Sequence, residues 1–268
     1  MKRFVSLVVL LVAAATVFSQ GLYWQTKTIG TVGEHVSDGF AVPKKMKIVN
    51  QGTATVPGDI TIFRLDREVM WQINPSKKTY SEISFAQMEA MMKNASSKMD
   101  AAMAKMQEEL SKLPPDQRKM VEEMMKGRMP GARGKADAPI QVSSTGERKT
   151  ISGFACTKFA VQHGEKTVAT LWVTKDVPGF AELAEDWKAF SKRLASMMPR
   201  FASEMAEAYK KIQGFTIQSE IPDLGVVTTV LKVERRSTPA SEFEIPAGYT
   251  KEKSDLEHQL QEMDQEDQ

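Results

Sequence analysis

The residues with the clearest chemical character are methionines placed three or four positions apart in a segment that also carries lysine and glutamate. Such steps put side chains on one face of a helix. Flexible thioethers either fill irregular gaps in a core or adapt to varied apolar ligands. We therefore predict a site for lipid or another apolar ligand between helices and a sheet. Its candidate lining comprises Met88, Met92, Met99, Met106, Met124, Trp187 and Phe190.

Thioethers have a second chemistry, because they are also good ligands for Cu(I). Met88, Met91 and Met92 have turn-related spacing. However, no histidine or second cysteine accompanies them, and helix packing already explains the spacing. Core packing, apolar binding, a Met-based Cu(I) site and redox sensing through methionine sulfoxide all remain open at this point.

Other chemistry is weakly represented. His35, His163 and His258 lie in different segments, and none has a partner at metal-ligand spacing. Neither a nucleophile elbow, a phosphate-binding loop nor a Cys-His pair is present. The single cysteine, Cys156, lies in a strand-like stretch and is predicted to be a buried thiol. We predict a protein that is not an enzyme and has no catalytic residue, metal site or cofactor.

Two helical segments, 85–126 and 179–213, separate stretches that read as strands. Ser84 and Gln87 have the spacing of a capping box at the start of the first segment. Prolines interrupt both segments, which predicts two helix pairs. Hairpins are predicted around Asn74-Pro75 and across Pro222–Gly225. The predicted fold class is α+β, a curved antiparallel sheet in the form of a half-open barrel covered by helical insertions.

The two ends differ in character from the rest of the chain. Residues 1–19 have a basic start at Lys2 and Arg3 and an apolar run, as in a cleavable signal peptide cut after Ser19. Residues 20–250 are predicted to form a single domain with a flexible loop at 127–140, and 251–268 to form an acidic, disordered tail. These features predict a periplasmic or secreted protein.

Charge and hydropathy limit the partners. The chain has a net charge of +2, which falls to zero without Lys2 and Arg3. A neutral chain without a basic stripe argues against nucleic acid. No segment after the signal is apolar enough to predict a membrane span. The remaining partners are a lipid or apolar ligand, or a protein of the cell envelope for which this chain would be an interaction module.

Several motifs resemble a bacterial exported family of unknown function. They are Trp71-Gln72-Ile73-Asn74-Pro75, Leu113–Arg118, Lys149–Phe159 and Leu171-Trp172-Val173-Thr174, and their order spans most of 45–250. That family is similar in layout to the LolA-like and LolB-like periplasmic lipoprotein carriers, which hold acyl chains between sheet and helices. The resemblance implies an apolar ligand, although no functional residue of the carriers maps onto this sequence. The Met-rich helix and the basic loop depart from the carrier pattern.

Overall fold

The structure is a computed structural model that describes residues 18–31, 33–53, 56–112, 114, 117, 140–196 and 212–254. Strands make up more than half of these residues and belong to one twelve-stranded sheet, whereas α-helices make up less than a quarter. The predicted α+β class, a half-open barrel covered by helical insertions, is therefore wrong. The described chain is mainly β, its sheet is open, and the helices are minor additions to it.

The elements follow one another with short connections. The strands are β1 (Phe18–Gly30), β2 (Gly33–Val42), β3 (Lys45–Asn50), β4 (Asp59–Arg64), β5 (Val69–Asn74), β6 (Thr79–Ser84), β7 (Ile140–Ile151), β8 (Phe154–His163), β9 (Lys166–Thr174), β10 (Phe215–Ile221), β11 (Val226–Pro239) and β12 (Thr250–Lys251). The α-helices are α1 (Phe85–Lys112) and α2 (Phe180–Ser196). Short 3-10 helices cover Pro222–Leu224 and Ala240–Phe243.

The sheet joins two runs of hairpins through one long-range pairing. Its strand order is β12-β6-β5-β4-β3-β2-β1-β11-β10-β9-β8-β7. All described neighbours are antiparallel except β12 and β6. The central pair, β1 and β11, aligns Trp24 with Val233 and carries a register shift after Gln25. The first and last strands of this order, β12 and β7, are the two edges.

Two long strands account for the error in fold class. Leu22 and Trp24 begin an alternating apolar pattern in β1, but Thr26 and Thr28 occupy the next positions of the same face. The apolar period of two therefore fades within a few residues, and the sequence pattern did not delimit β1 or β2. In addition, most of the second half of each predicted helix pair, including Met124, lies outside the described residues.

The local predictions around α1 are confirmed. The Ser84 amide donates to Gln87 Oε1 over 2.9 Å, and the Gln87 amide donates to Ser84 Oγ over 3.1 Å, which is the capping box. The turn after β5 is also confirmed, since the Lys77 amide donates to Asn74 Oδ1 over 3.0 Å. In the described part of the chain no helix is long and apolar enough to cross a bilayer.

Three apolar clusters divide the two faces of the sheet, because successive residues of a strand point to opposite faces. The helix-side cluster contains buried residues of α1 and α2 together with strand residues such as Leu22, Trp24 and Trp172. Val173, next to Trp172, belongs to a second cluster on the outer face of β7–β9. A third cluster, around Phe243, covers the outer face of β2–β6. The sheet is therefore packed on both faces.

Trp24 reaches its place in the helix-side cluster because its neighbour on β2 is glycine. Trp24 and Gly39 are direct partners in the β1–β2 register. A Cβ at Gly39 would lie only 2.0 Å from Cε2 of the Trp24 ring, so the indole occupies the space of the missing side chain. A glycine inside a strand often marks such a close approach.

The segment after β11 is fastened across the outer face by a buried arginine. Arg64, only 2% exposed, donates to the Phe243 carbonyl over 3.1 Å and to Glu244 Oε1 over 2.7 Å. Its other edge donates two bonds to Asp66, of 2.8 and 2.7 Å. Hydrogen bonds from Arg64 lower the pKa of Asp66, despite the opposing effect of burial. The guanidinium thus joins β4 to the chain that covers its outer face.

Gly39→Ala is expected to destabilise the protein by about 1–3 kcal/mol, because an added methyl group forces Trp24 out of its packed position. Chemical unfolding followed by tryptophan fluorescence measures this change. Gly30→Ala is the matched control, since its Cβ would meet only a Val226 methyl group, at 3.2 Å. Equal destabilisation by the two variants would contradict the role given to the Trp24–Gly39 contact.

Arg64→Met is expected to lower the free energy of unfolding by about 2–3 kcal/mol, because it removes a buried charge from its hydrogen-bonded partners. Arg67→Met is the control. Arg67 also pairs with Glu244, over 3.1 Å, but its side chain is half exposed, so the expected loss is at most about 1 kcal/mol. Similar losses in the two variants would show that the buried position of Arg64 has no special effect on stability.

Candidate ligand-binding site

Four aromatic rings form the centre of the helix-side cluster. Trp24 of β1 lies 5.4 Å from Trp187 of α2, measured between ring centroids, in an edge-to-face arrangement. Phe215 of β10 lies 5.5 Å from Trp187 and 5.3 Å from Phe180. Edge-to-face pairs at such distances are favourable beyond the area they bury. These contacts fix α2 against the middle of the sheet.

The outer members of this group are not fully covered. Trp24 and Phe215 are buried, whereas Phe180 and Trp187 are half-buried. Four more large apolar side chains that pack on the helix-side cluster are also half-buried: Ile48, Leu65, Met70 and Phe154. The cluster therefore has a buried base and a partly exposed apolar rim formed by both strands and α2.

The structure brings together some of the predicted lining residues. Trp187 and Phe190 both belong to the helix-side cluster, and Phe190 lies 6.2 Å from Phe63 between ring centroids. Met88 is buried in the first turns of α1, and Met106 is half-buried far along it. Met92 and Met99 lie on α1, but their side chains, like all of Met124, fall outside the described residues.

Sequence reasoning missed the strand residues of the group. Trp24, Phe63 and Phe215 come from three separate strands, and only the folded sheet places them beside α2. The helical period identified Trp187 and Phe190, but a period within one element says nothing about its partners. A local signal did exist at Leu22 and Trp24, which alternate at the start of β1.

A hydrogen-bonded group surrounds Asp38 where β1 and β2 meet. Asp38 accepts from Tyr23 Oη over 2.6 Å, from Gln25 over 3.1 Å and from Gln51 over 2.8 Å. Burial raises the pKa of Asp38, but these hydrogen bonds outweigh it, so the pKa is lowered. The hydrogen bond to Asp38 and burial raise the pKa of Tyr23. Tyr23 thus stays protonated and Asp38 charged at neutral pH, as in a structural pair.

Metal chemistry finds little support in the described ranges. They contain no group of three or more histidine, cysteine or carboxylate side chains that could hold an ion. His35 lies on β2 and His163 at the end of β8, and His258 falls outside the described residues. Thioethers are a separate class of ligand, and a Met-based Cu(I) site stays a prediction.

A cleft lies at the end of β9, apart from the helix-side rings. It has a volume of about 410 Å³ and is lined by Phe159, Val173, polar residues and the thiol-bearing Cys156. Cys156 is 2% exposed, and burial raises the pKa of its thiol. The thiolate is the reactive form of cysteine. Burial and a raised pKa therefore both make Cys156 a poor nucleophile.

Iodoacetamide is expected to modify Cys156 at least about tenfold more slowly in the folded protein than in the unfolded chain at the same pH. The sequence has one cysteine, so the mass increase reports this site alone. Modification in concentrated guanidinium chloride is the control for full accessibility. Equal rates in the folded and unfolded states would mean that the thiol is open to solvent.

Comparison with known proteins identifies the family. The chain is similar to an uncharacterized conserved protein from Thermus thermophilus, whose crystal structure aligns with a TM-score of 0.43 and 7% identity over 87% of this chain and 90% of that chain. The search of curated proteins gives no match. The family model described as Domain of unknown function (DUF4412) matches residues 86–249. The match covers more than half of the chain, and the protein therefore belongs to this family of unknown function.

Proposed function

We propose that the protein is a non-enzymatic binding protein of the cell envelope that holds a lipid or another apolar ligand on the helix-side face of its sheet. One observation carries the proposal: six large apolar side chains that pack around the helix-side cluster are only partly buried. An apolar surface next to aromatic rings is typical of sites for apolar ligands.

The contribution of each element follows from its contacts. The strands supply a fixed base, because Trp24 and Phe215 are buried and pack edge-to-face. Helix α2 supplies Phe180 and Trp187, which are only partly buried and would contact the ligand. Displacing water from these rings is favourable by about 25 cal/mol per Å² of apolar surface. The binding energy would therefore come mainly from apolar burial.

The predicted signal peptide at 1–19 supports export to the periplasm or beyond. Met106 would extend the apolar surface along α1, since its side chain is half-buried and thioethers adapt to varied shapes.

Native mass spectrometry of protein purified from the periplasm, followed by organic extraction, tests the proposal directly. The expected result is a bound mass that extracts as lipid. A clean apo monomer would contradict it. A stable oligomer without lipid would support an envelope interaction module instead, and a copper adduct would support the Cu(I) alternative.

Trp187→Gln is expected to weaken the binding of an apolar fluorescent probe about tenfold, because it replaces a partly buried apolar ring with an amide. Leu231→Gln is the control. Leu231 is 44% exposed and lies on β11 outside the described clusters, so the same type of substitution should leave probe binding unchanged.

The methionines are tested separately by Met92→Gln, Met99→Gln and Met106→Gln in one protein. Their control is Lys93→Gln, Lys98→Gln and Lys105→Gln, which places three amides at exposed positions of the same helix. The methionine variant is expected to bind the probe more weakly than the lysine variant. Equal binding would remove the methionines from the lining and leave only the aromatic surface.

A further inference from the structure

The cleft at the end of β9 lies away from the helix-side aromatic rings. Its base contains Phe159 and Val173, which belong to the cluster on the outer face of β7–β9. Thr157 adds a hydroxyl group to the same surface. A volume of about 410 Å³ falls in the range of small-molecule sites. The base alone would accept a short apolar chain.

Strand register brings a basic side chain to this base. Arg148 of β7 is the direct partner of Thr157 on β8, and Thr157 is the direct partner of Val173 on β9. The three residues form a row across three neighbouring strands. Lys175 follows the last residue of β9 and lines the same cleft. Two cationic groups from distant parts of the sequence therefore border one apolar surface.

The charge of these two groups is not neutralised within the described ranges. Ion pairs are common on the strands: Lys158 beside them pairs with Glu147 over 2.8 Å, and Lys166 at the start of β9 pairs with Asp223. Neither Arg148 nor Lys175 has such a partner among the described residues. Asp176 is the only acidic residue of the described lining, so the described part of the cleft carries a net positive charge.

We propose that this cleft binds an organic anion that combines a carboxylate or phosphate group with a short apolar chain. The guanidinium of Arg148 suits either group, because its planar donors match their oxygens in pairs. Lys175 adds a second positive charge, Thr157 adds a hydrogen-bond partner, and Phe159 and Val173 contact the chain. This site goes beyond the apolar surface proposed above and does not depend on it.

Isothermal titration calorimetry with octanoate, octanol and acetate separates the contributions of the anionic group and of the apolar chain to binding. Octanoate is expected to bind with one-to-one stoichiometry, and octanol and acetate at least about tenfold more weakly, because each lacks one half of the required chemistry. The double variant Arg148→Gln, Lys175→Gln is expected to lose about tenfold or more in octanoate affinity. Octyl phosphate distinguishes a preference for phosphate from one for carboxylate.

The matched control is Lys45→Gln, Lys77→Gln, which removes the same charge from the β3–β6 half of the sheet, and it is expected to bind octanoate as the unmodified protein does. Equal affinity in the two double variants would overturn the proposal, as would octanol binding as tightly as octanoate. Trp187→Gln distinguishes this site from the helix-side surface. The variant should weaken the binding of the apolar probe and leave the affinity for octanoate unchanged.

Discussion

The contact between Trp24 and Gly39 is the constraint on which the helix-side face depends. Because β2 has no side chain at this point, the indole occupies the space that a Cβ of residue 39 would fill. From there it offers its edge and face to Trp187 and Phe215. A larger residue at position 39 would lift the indole toward α2 and displace the rings above it. The position of α2 on the sheet therefore depends on the glycine at position 39.

The outer face is closed by a different kind of interaction. Residues after β11 cross β2–β6 and place Phe243, fully buried, over Ile62, Trp71 and Ile73. Apolar burial supplies most of the favourable free energy here. Arg64 fixes the position of this segment on the sheet, because it donates hydrogen bonds to both the Phe243 carbonyl and Glu244. With this face sealed, the open apolar surface of the β2–β6 half lies on the helix side.

The sequence supported local structure better than global structure. The β4–β6 hairpins, the capping box and the hairpin at Pro222 were predictable, because each depends on residues close in the chain. The pairing of β1 with β11 was not, since it joins residues about 200 positions apart. The residues of the candidate site differ in the same way in how far they could be predicted. Helical spacing identified Trp187 and Phe190, whereas Trp24 and Phe215 become their partners only through strand order.

The two proposed binding surfaces differ in what they can recognise. The helix-side surface is built from rings and aliphatic side chains, so it distinguishes ligands mainly by size and shape. The cleft beside β9 combines Phe159 and Val173 with Arg148 and Lys175, so it would also distinguish them by charge. Val173 and Trp172 are adjacent in β9 and belong to different clusters, because successive residues of a strand point to opposite faces. One strand therefore supplies an apolar side chain to the base of the cleft and another to the helix-side cluster.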